Sequence, residues 1–241
     1  MRTIKKVASH IFIDGFGGMS QGLFATLIIG TMIQQIGLLI GGSTGNVIYL
    51  LGKAAAALTS AGIGVGVAVK YGESPLVTVS AAVAAMVGGY AGKITGGTFF
   101  VDGNAVLAGP GEPLGAFIAA FAGITCGHLV SGKTKVDIIV TPVITIGAGS
   151  VVGLLVGPPI SQMMTGLGSI INWATEQRPF IMGIVVSVVM GMVLTLPISS
   201  AALGIILNLS GLAAGAATIG CCCHMVGFAV ASYRENKFGG L

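Results

Sequence analysis

The chain has 241 residues, of which 54% are apolar and only 7% are charged, and its mean hydropathy is +0.99. A soluble domain carries roughly 25% charged residues, so this composition excludes a water-soluble globular protein, whose surface so few charges could not cover. Lys and Arg outnumber Asp and Glu by 11 to 7. These basic residues are scattered singly along the sequence, which argues against nucleic-acid binding.

The first residues predict a helix that lies in the membrane interface. Within residues 3–13, the apolar side chains fall on one helical face and the lysines elsewhere: Ile4, Val7, Ala8, Ile11 and Phe12 against Lys5 and Lys6. Because positive residues favour the cytoplasmic side, Arg2, Lys5 and Lys6 predict a cytoplasmic N-terminus.

Apolar segments of the length needed to cross a bilayer, about 20 residues, then follow one another. They are residues 19–40, 47–69, 76–92, 114–130, 138–156, 180–196 and 211–231. We expect Pro158 and Pro159 to end the fifth, and the more polar residues 160–178 to lie in the interface. Seven crossings would put Arg234 and Lys237 outside, against the positive-inside rule. We therefore predict an all-α integral membrane protein, a polytopic helix bundle of about seven spans, plus or minus one.

Two segments predict re-entrant or broken helices. Residues 93–113, KITGGTFFVDGNAVLAGPGEP, are too polar for a spanning helix and too apolar for a loop in water. Non-helical backbone at membrane depth requires protein or a watery cavity around it, so we predict a re-entrant or unwound element. Pro197, Ser199 and Ser200 break the sixth span, and residues 201–210 are a candidate second half-helix.

Glycine is unusually frequent, at 41 of 241 residues. Two triplets have the four-residue spacing that lets membrane helices pack closely: Gly88, Gly92 and Gly96, and Gly149, Gly153 and Gly157. Permissive loops are the alternative interpretation of these glycines.

Ionisable groups inside apolar segments are candidates for function because they are costly there. Glu112 is the strongest candidate, since the prolines and glycines of GPGEP prevent a regular helix and direct a carboxylate into a cavity, where it can accept hydrogen bonds from sugar hydroxyls. The alternative is a glutamate at a loop tip in water. Asp102 and Asn104 either complete a polar cluster or form an Asx turn with Gly103.

Ser199 and Ser200 are further candidates for solute binding if the 197–210 segment is a broken helix of the kind found in transporters; otherwise they pack between helices. Pairing with a basic residue is the favoured interpretation of Asp14 over a ligand role, and interfacial position or packing is favoured over a proton relay for His128 and His224. Lys53 either snorkels from near the end of its helix or pairs with an acid. The four cysteines, Cys126, Cys221, Cys222 and Cys223, lack CxxC spacing. We predict no metal site, no cofactor and no catalytic residue.

Four stretches resemble a known family: GFGGMSQGLFATLIIGTMIQQIG, TFFVDGNAVLAGPGEPLGAFIAA, TLPISSAALGIILNLSGLAAGAA and SYRENKFGGL. They are similar to EIIC-like membrane proteins of the perfringolysin-regulator type, which are related to the sugar-translocating IIC subunits of bacterial phosphotransferase systems. GPGEP also resembles the glutamate–proline motif with which glucose-type IIC subunits bind sugar. Here Gly111 stands where a polar residue is usual.

The resemblance implies a homodimer in the bacterial inner membrane that takes a sugar or similar small polar solute, with Glu112 holding a hydroxyl. It also implies IIA and IIB proteins as possible partners, since no phosphorylation site can be assigned on this chain. A permease is the leading hypothesis. The alternatives are a membrane sensor that alters gene expression without net transport and a structural membrane subunit.

The ends of the chain resemble each other. DGFGGM at residues 14–19 is similar to NKFGGL at residues 236–241, as if a second unit began where the chain stops. Members of the resembled family also continue further. We therefore expect residues 1–241 to form a single transmembrane domain that is truncated at its C-terminus.

Overall fold

The structure is a computed structural model that describes residues 14–101, 104–107, 109–193, 204, 207 and 209–235. Its helices are α1 (Phe16–Leu23), α2 (Ile29–Ile40), α3 (Gly42–Ala57), α4 (Thr59–Lys70), α5 (Pro75–Gly89), α6 (Ala91–Thr95), α7 (Pro113–Val130), α8 (Asp137–Gln177), α9 (Pro179–Val193) and α10 (Gly211–Glu235). A π-helical turn, Phe24–Ile28, joins α1 to α2. Two short strands, β1 (Phe100–Val101) and β2 (Asn104–Ala105), form an antiparallel hairpin. The predicted helix at residues 3–13 and the predicted break at Pro197 lie outside the described residues.

The helices confirm the all-α polytopic membrane architecture. Within the described residues, four helical stretches are long and apolar enough to cross a membrane, and α3 with α4 makes a fifth if the bent pair is one span. The helices α5 and α9 are shorter but apolar. Each of the seven apolar segments predicted from the sequence overlaps one of these helices or the bent pair. Large exposed side chains such as Leu39 (86%) and Phe180 (81%) fit contact with lipid.

The second predicted span is broken. Residues 47–69 fall into α3 and α4, whose axes are bent by 53° at Leu58. The hydroxyl of Thr59 donates to the Ala56 carbonyl at 2.6 Å, so it satisfies a backbone group at the break. Sharp kinks usually occur at proline, glycine or a π-bulge, and the local sequence AAAALTS has neither glycine nor proline.

The predicted end of the fifth span at Pro158 and Pro159 is wrong. Helix α8 continues from Asp137 through both prolines to Gln177, and Pro142 also lies inside it. A proline removes one helical hydrogen bond and disturbs the preceding turn. Membrane helices tolerate this when neighbouring groups satisfy the freed carbonyls. Residues 160–177 are therefore helical.

The chain divides into two compact units, Met1–Gln162 and Met163–Leu241. In the first, α5 packs against α4 and α7, and the buried core between them is made of small and branched side chains: Ile63, Val67, Val77, Ala84 and Ala119. A Cβ on Gly149, Gly153 or Gly157 would lie 2.6, 2.8 or 2.7 Å from a neighbouring atom, so this triplet packs closely as predicted. Gly88 packs closely too, whereas Gly92 has only ordinary contacts, with Ser161.

In the second unit, α9 packs against α10. Val186, Met190 and Ala217 form its buried cluster. A Cβ on Gly220 would collide with the backbone of Ser187, so the two helices approach closely there. The single transmembrane domain expected from the sequence stays a prediction.

Candidate functional site

The candidate site lies where the GPGEP loop meets two interrupted helices. Helix α5 stops at Gly89, and α6 begins at Ala91 after Tyr90 leaves helical geometry (φ −105°, ψ 10°). The second interruption is the bend at Leu58. The interruption between α5 and α6 is buried, because Tyr90 is only 1% exposed. The polar groups of this interruption therefore require partners inside the protein.

The Tyr90 hydroxyl supplies one such partner. Its oxygen lies 3.2 Å from the Ala57 carbonyl oxygen and is also hydrogen-bonded to the Gly109 carbonyl. A phenol has one proton to donate, so the two carbonyls share it. The ring contacts Phe99 at a centroid distance of 5.4 Å, and the Lys93 ammonium lies 5.3 Å from the ring centre. Tyr90 thus joins the α3–α4 bend to the loop before α7.

Two further hydrogen bonds fasten this loop. The hydroxyl of Ser60, which is fully buried, donates to the Pro110 carbonyl at 3.0 Å. The backbone N–H of Glu112 donates to the Gly89 carbonyl at 2.7 Å, which satisfies a carbonyl at the end of α5. The loop is therefore tied to the start of α4 and to the end of α5.

The backbone conformation of the loop requires glycine at two positions. Gly109 and Gly111 have φ of +81° and +74°, a region that favours glycine. A Cβ on Gly111 would also collide with the Ser60 hydroxyl. This contact explains why Gly111 stands where the resembled glutamate–proline motif usually has a polar residue.

The Glu112 side chain caps helix α7. Its Oε1 accepts from the N–H of Leu114 at 3.2 Å, and its Oε2 accepts from the N–H of Gly115. Pro113 occupies the first helical position, where its missing N–H costs nothing. The positive end of the helix dipole stabilises a negative charge at this position. Glu112 is partly exposed, and a carboxylate has about four lone-pair positions, so it retains capacity for further donors.

The structure places only some of the other predicted site residues. Asn104 is exposed in β2, opposite Val101 of β1. Asp102, Ser199 and Ser200 lie outside the described residues, so their part in a cluster with Glu112 stays a prediction.

Three residues that build the site were not predicted from the sequence: Ser60, Tyr90 and Gly89. Ser60 and Tyr90 are single polar side chains in apolar segments, a pattern also typical of polar groups that pack between helices. Gly89 contributes its backbone carbonyl, and a backbone group has no signature in the sequence.

The remaining ionisable candidates lie elsewhere. Lys53 is exposed on α3, and the His224 ring contacts that of Phe228 at a centroid distance of 5.0 Å and an interplanar angle of 59°. His128 pairs with Glu73. Among the described residues, no group of three or more His, Cys, Asp or Glu side chains could hold a metal ion.

A family model described as phosphotransferase system, EIIC, matches residues 13–241. The chain belongs to the phosphotransferase system EIIC family. The match includes the Glu112 loop, both helix interruptions and all the described helices, so this EIIC protein is a membrane component of the phosphotransferase type. No curated protein and no solved structure matches it. The perfringolysin-regulator subtype suggested by the sequence stays a prediction.

Proposed function

We propose that this EIIC protein is a permease that binds a sugar or similar small polar solute beside Glu112 and moves it across the membrane by alternating access. One observation carries the proposal: a partly exposed carboxylate is held on a loop that is tied to two interrupted helices. Transporter sites are commonly built at such interruptions, because irregular backbone there is supported by the surrounding protein.

The geometry suits recognition of hydroxyl groups. Two backbone N–H groups fix the orientation of the Glu112 carboxylate, and its remaining lone pairs can accept hydrogen bonds from a solute. A group held in place before binding loses little freedom when the ligand arrives, which favours affinity. We propose Asp102, Asn104, Ser199 and Ser200 as further solute contacts.

The proposal also covers the membrane, the oligomeric state and the partner proteins. We infer a homodimer in the bacterial inner membrane with a cytoplasmic N-terminus, and separate IIA and IIB proteins as the source of any phosphoryl group. The support is membership of the EIIC family together with the apolar helices.

A pair of substitutions separates the capping role of Glu112 from binding. Serine is a good N-cap residue, so Glu112→Ser should retain most of the stability of α7 while removing the carboxylate. Glu112→Ala should lose both functions. We expect Glu112→Ser to weaken binding of labelled hexoses to the detergent-purified protein by about 10- to 100-fold, as loss of charge-assisted hydrogen bonds predicts. Unchanged hexose binding by the serine variant would refute the site.

The membrane sensor remains the second candidate function, favoured by the resemblance to regulator-type EIIC-like proteins. Flux measurements in proteoliposomes separate the two. A permease shows saturable hexose uptake that Glu112→Ser reduces, whereas a sensor shows saturable binding without flux.

A further inference from the structure

A second polar contact joins the other ends of the helices that support the Glu112 loop. His128, in the last turn of α7, places Nδ1 2.9 Å from Oε1 and 3.2 Å from Oε2 of Glu73, in the turn between α4 and α5. The Glu73 side chain is 9% exposed, whereas the imidazole is 70% exposed. The carboxylate is therefore covered by the protein, while the imidazole is not.

The other groups around this pair carry no charge near neutral pH. Beside it lies a cavity of about 370 Å³, lined by Tyr71 and by α7 side chains, which besides His128 are uncharged. Burial, with the Asp14 carboxylate adding to it, raises the pKa of Tyr71 to about 12, so its phenol stays neutral near neutral pH. Asp14 and Lys70 do not line the cavity. Histidine is the side chain that ordinarily changes charge between about pH 5 and 8.

A neutral contact joins the same two elements. The hydroxyls of Ser74 and Ser131 lie 3.0 Å apart, and Ser74 also caps the start of α5. This contact does not titrate near neutral pH, so it aligns the two elements whatever the charge of His128.

We propose that the Glu73–His128 pair is a proton-binding site that sets how firmly α7 is held to the α4–α5 turn. A protonated imidazole forms an ion pair with the carboxylate. A neutral imidazole can still donate a hydrogen bond to the carboxylate, but it lacks the attraction between opposite charges. The contact is therefore stronger when the imidazole is protonated than when it is neutral. Loosening the contact frees the two walls of the cavity to separate.

This proton site also has a route to the Glu112 loop. Ser60 of α4, Gly89 of α5 and the N-terminus of α7 hold that loop, and the opposite ends of the same three helices meet near Glu73 and Ser131. If the two ends are coupled, binding of protons and of solute affect each other equally. Only this last step rests on the proposed function.

Amide hydrogen exchange of the full chain in detergent tests the proton site without any solute. Peptides covering residues 71–74 and 127–132 are compared at about pH 5.5 and about pH 8, after correction for the intrinsic pH dependence of exchange. We expect exchange to be about two- to fivefold slower at the lower pH, the range of a partly exposed ion pair. His128→Gln and Glu73→Gln should each bring this ratio to about one.

Two further variants make the result decisive. His128→Lys keeps a cation opposite Glu73 and should stay protected at both pH values. His224→Gln, a substitution in α10, should retain the wild-type ratio. A pH effect that survives His128→Gln, or that disappears in His224→Gln, would overturn the proposal.

Discussion

Glu112 has a role in the fold as well as in the proposed site. Its carboxylate accepts hydrogen bonds from Leu114 and Gly115, and its backbone N–H donates to Gly89. A side chain that caps a helix is held in one orientation. The consequence is that a simple loss-of-function variant at Glu112 cannot assign its role, because stability and binding change together.

Gly111 should be intolerant of any side chain. Gly111→Ala places a Cβ against the Ser60 hydroxyl and forces alanine to a φ of +74°. We expect a loss of about 1–3 kcal/mol in the free energy of unfolding, measured by thermal denaturation in detergent. Gly147→Ala is the matched control, since a Cβ there meets nothing within 4 Å. Equal melting of the two variants would contradict this account of the loop.

Tyr90 should stabilise the site through its hydroxyl. Tyr90→Phe keeps the ring against Phe99 but leaves the carbonyls of Ala57 and Gly109 without their shared donor. An unsatisfied buried acceptor costs about 1–3 kcal/mol, which thermal denaturation would detect. Tyr233→Phe, at a position 81% exposed, should melt like the wild type. A Tyr90→Phe variant as stable as the wild type would show that the hydroxyl contributes nothing.

At the scale of elements, proline was a poor guide to where helices end in this chain. Helix α8 passes through Pro158 and Pro159, whereas the bend between α3 and α4 occurs at Leu58, in a run without proline or glycine. A membrane helix can continue through proline when the surrounding protein satisfies the freed carbonyls, and at the bend the Ala57 carbonyl accepts from the distant Tyr90 hydroxyl. Both effects are tertiary, so local sequence patterns do not reveal them.

Replacing both prolines of α8 tests its continuity. Pro158→Ala combined with Pro159→Ala should leave amide exchange in residues 160–170 as slow as in the wild type, because these residues are already helical. Stability should stay the same or increase, since alanine favours a helix interior over proline. A marked gain of protection in the double variant would show instead that the helix normally ends at the prolines.

At the scale of the whole molecule, the class of protein and the approximate positions of the described helices are predictable from the sequence. A long apolar segment indicates a membrane-spanning helix, because the thickness of the bilayer sets the number of residues that a span needs. The irregular 93–113 segment was likewise recognisable from its glycines and prolines. Its partners were not, since Ser60 and Tyr90 are distant in sequence and only the fold brings them to the loop.

Exposure of large apolar side chains makes a further prediction for the whole chain. Residues such as Leu39, Phe180 and Ile138 are 86%, 81% and 72% exposed. Soluble monomeric proteins rarely expose apolar surface of this extent to water. We expect the purified protein to aggregate when detergent is diluted below its critical micelle concentration, as size-exclusion chromatography would show. Detergent-free protein that remains monodisperse would contradict immersion in lipid.

The position of the Tyr90 phenol has one more consequence. A single hydrogen faces two oxygens, that of Ala57 at the helix bend and that of Gly109 at the start of the loop. The carbonyl that does not receive the hydrogen has no donor from this side chain. The bend and the loop therefore depend on a single hydroxyl group, and its loss removes a partner from both segments at once.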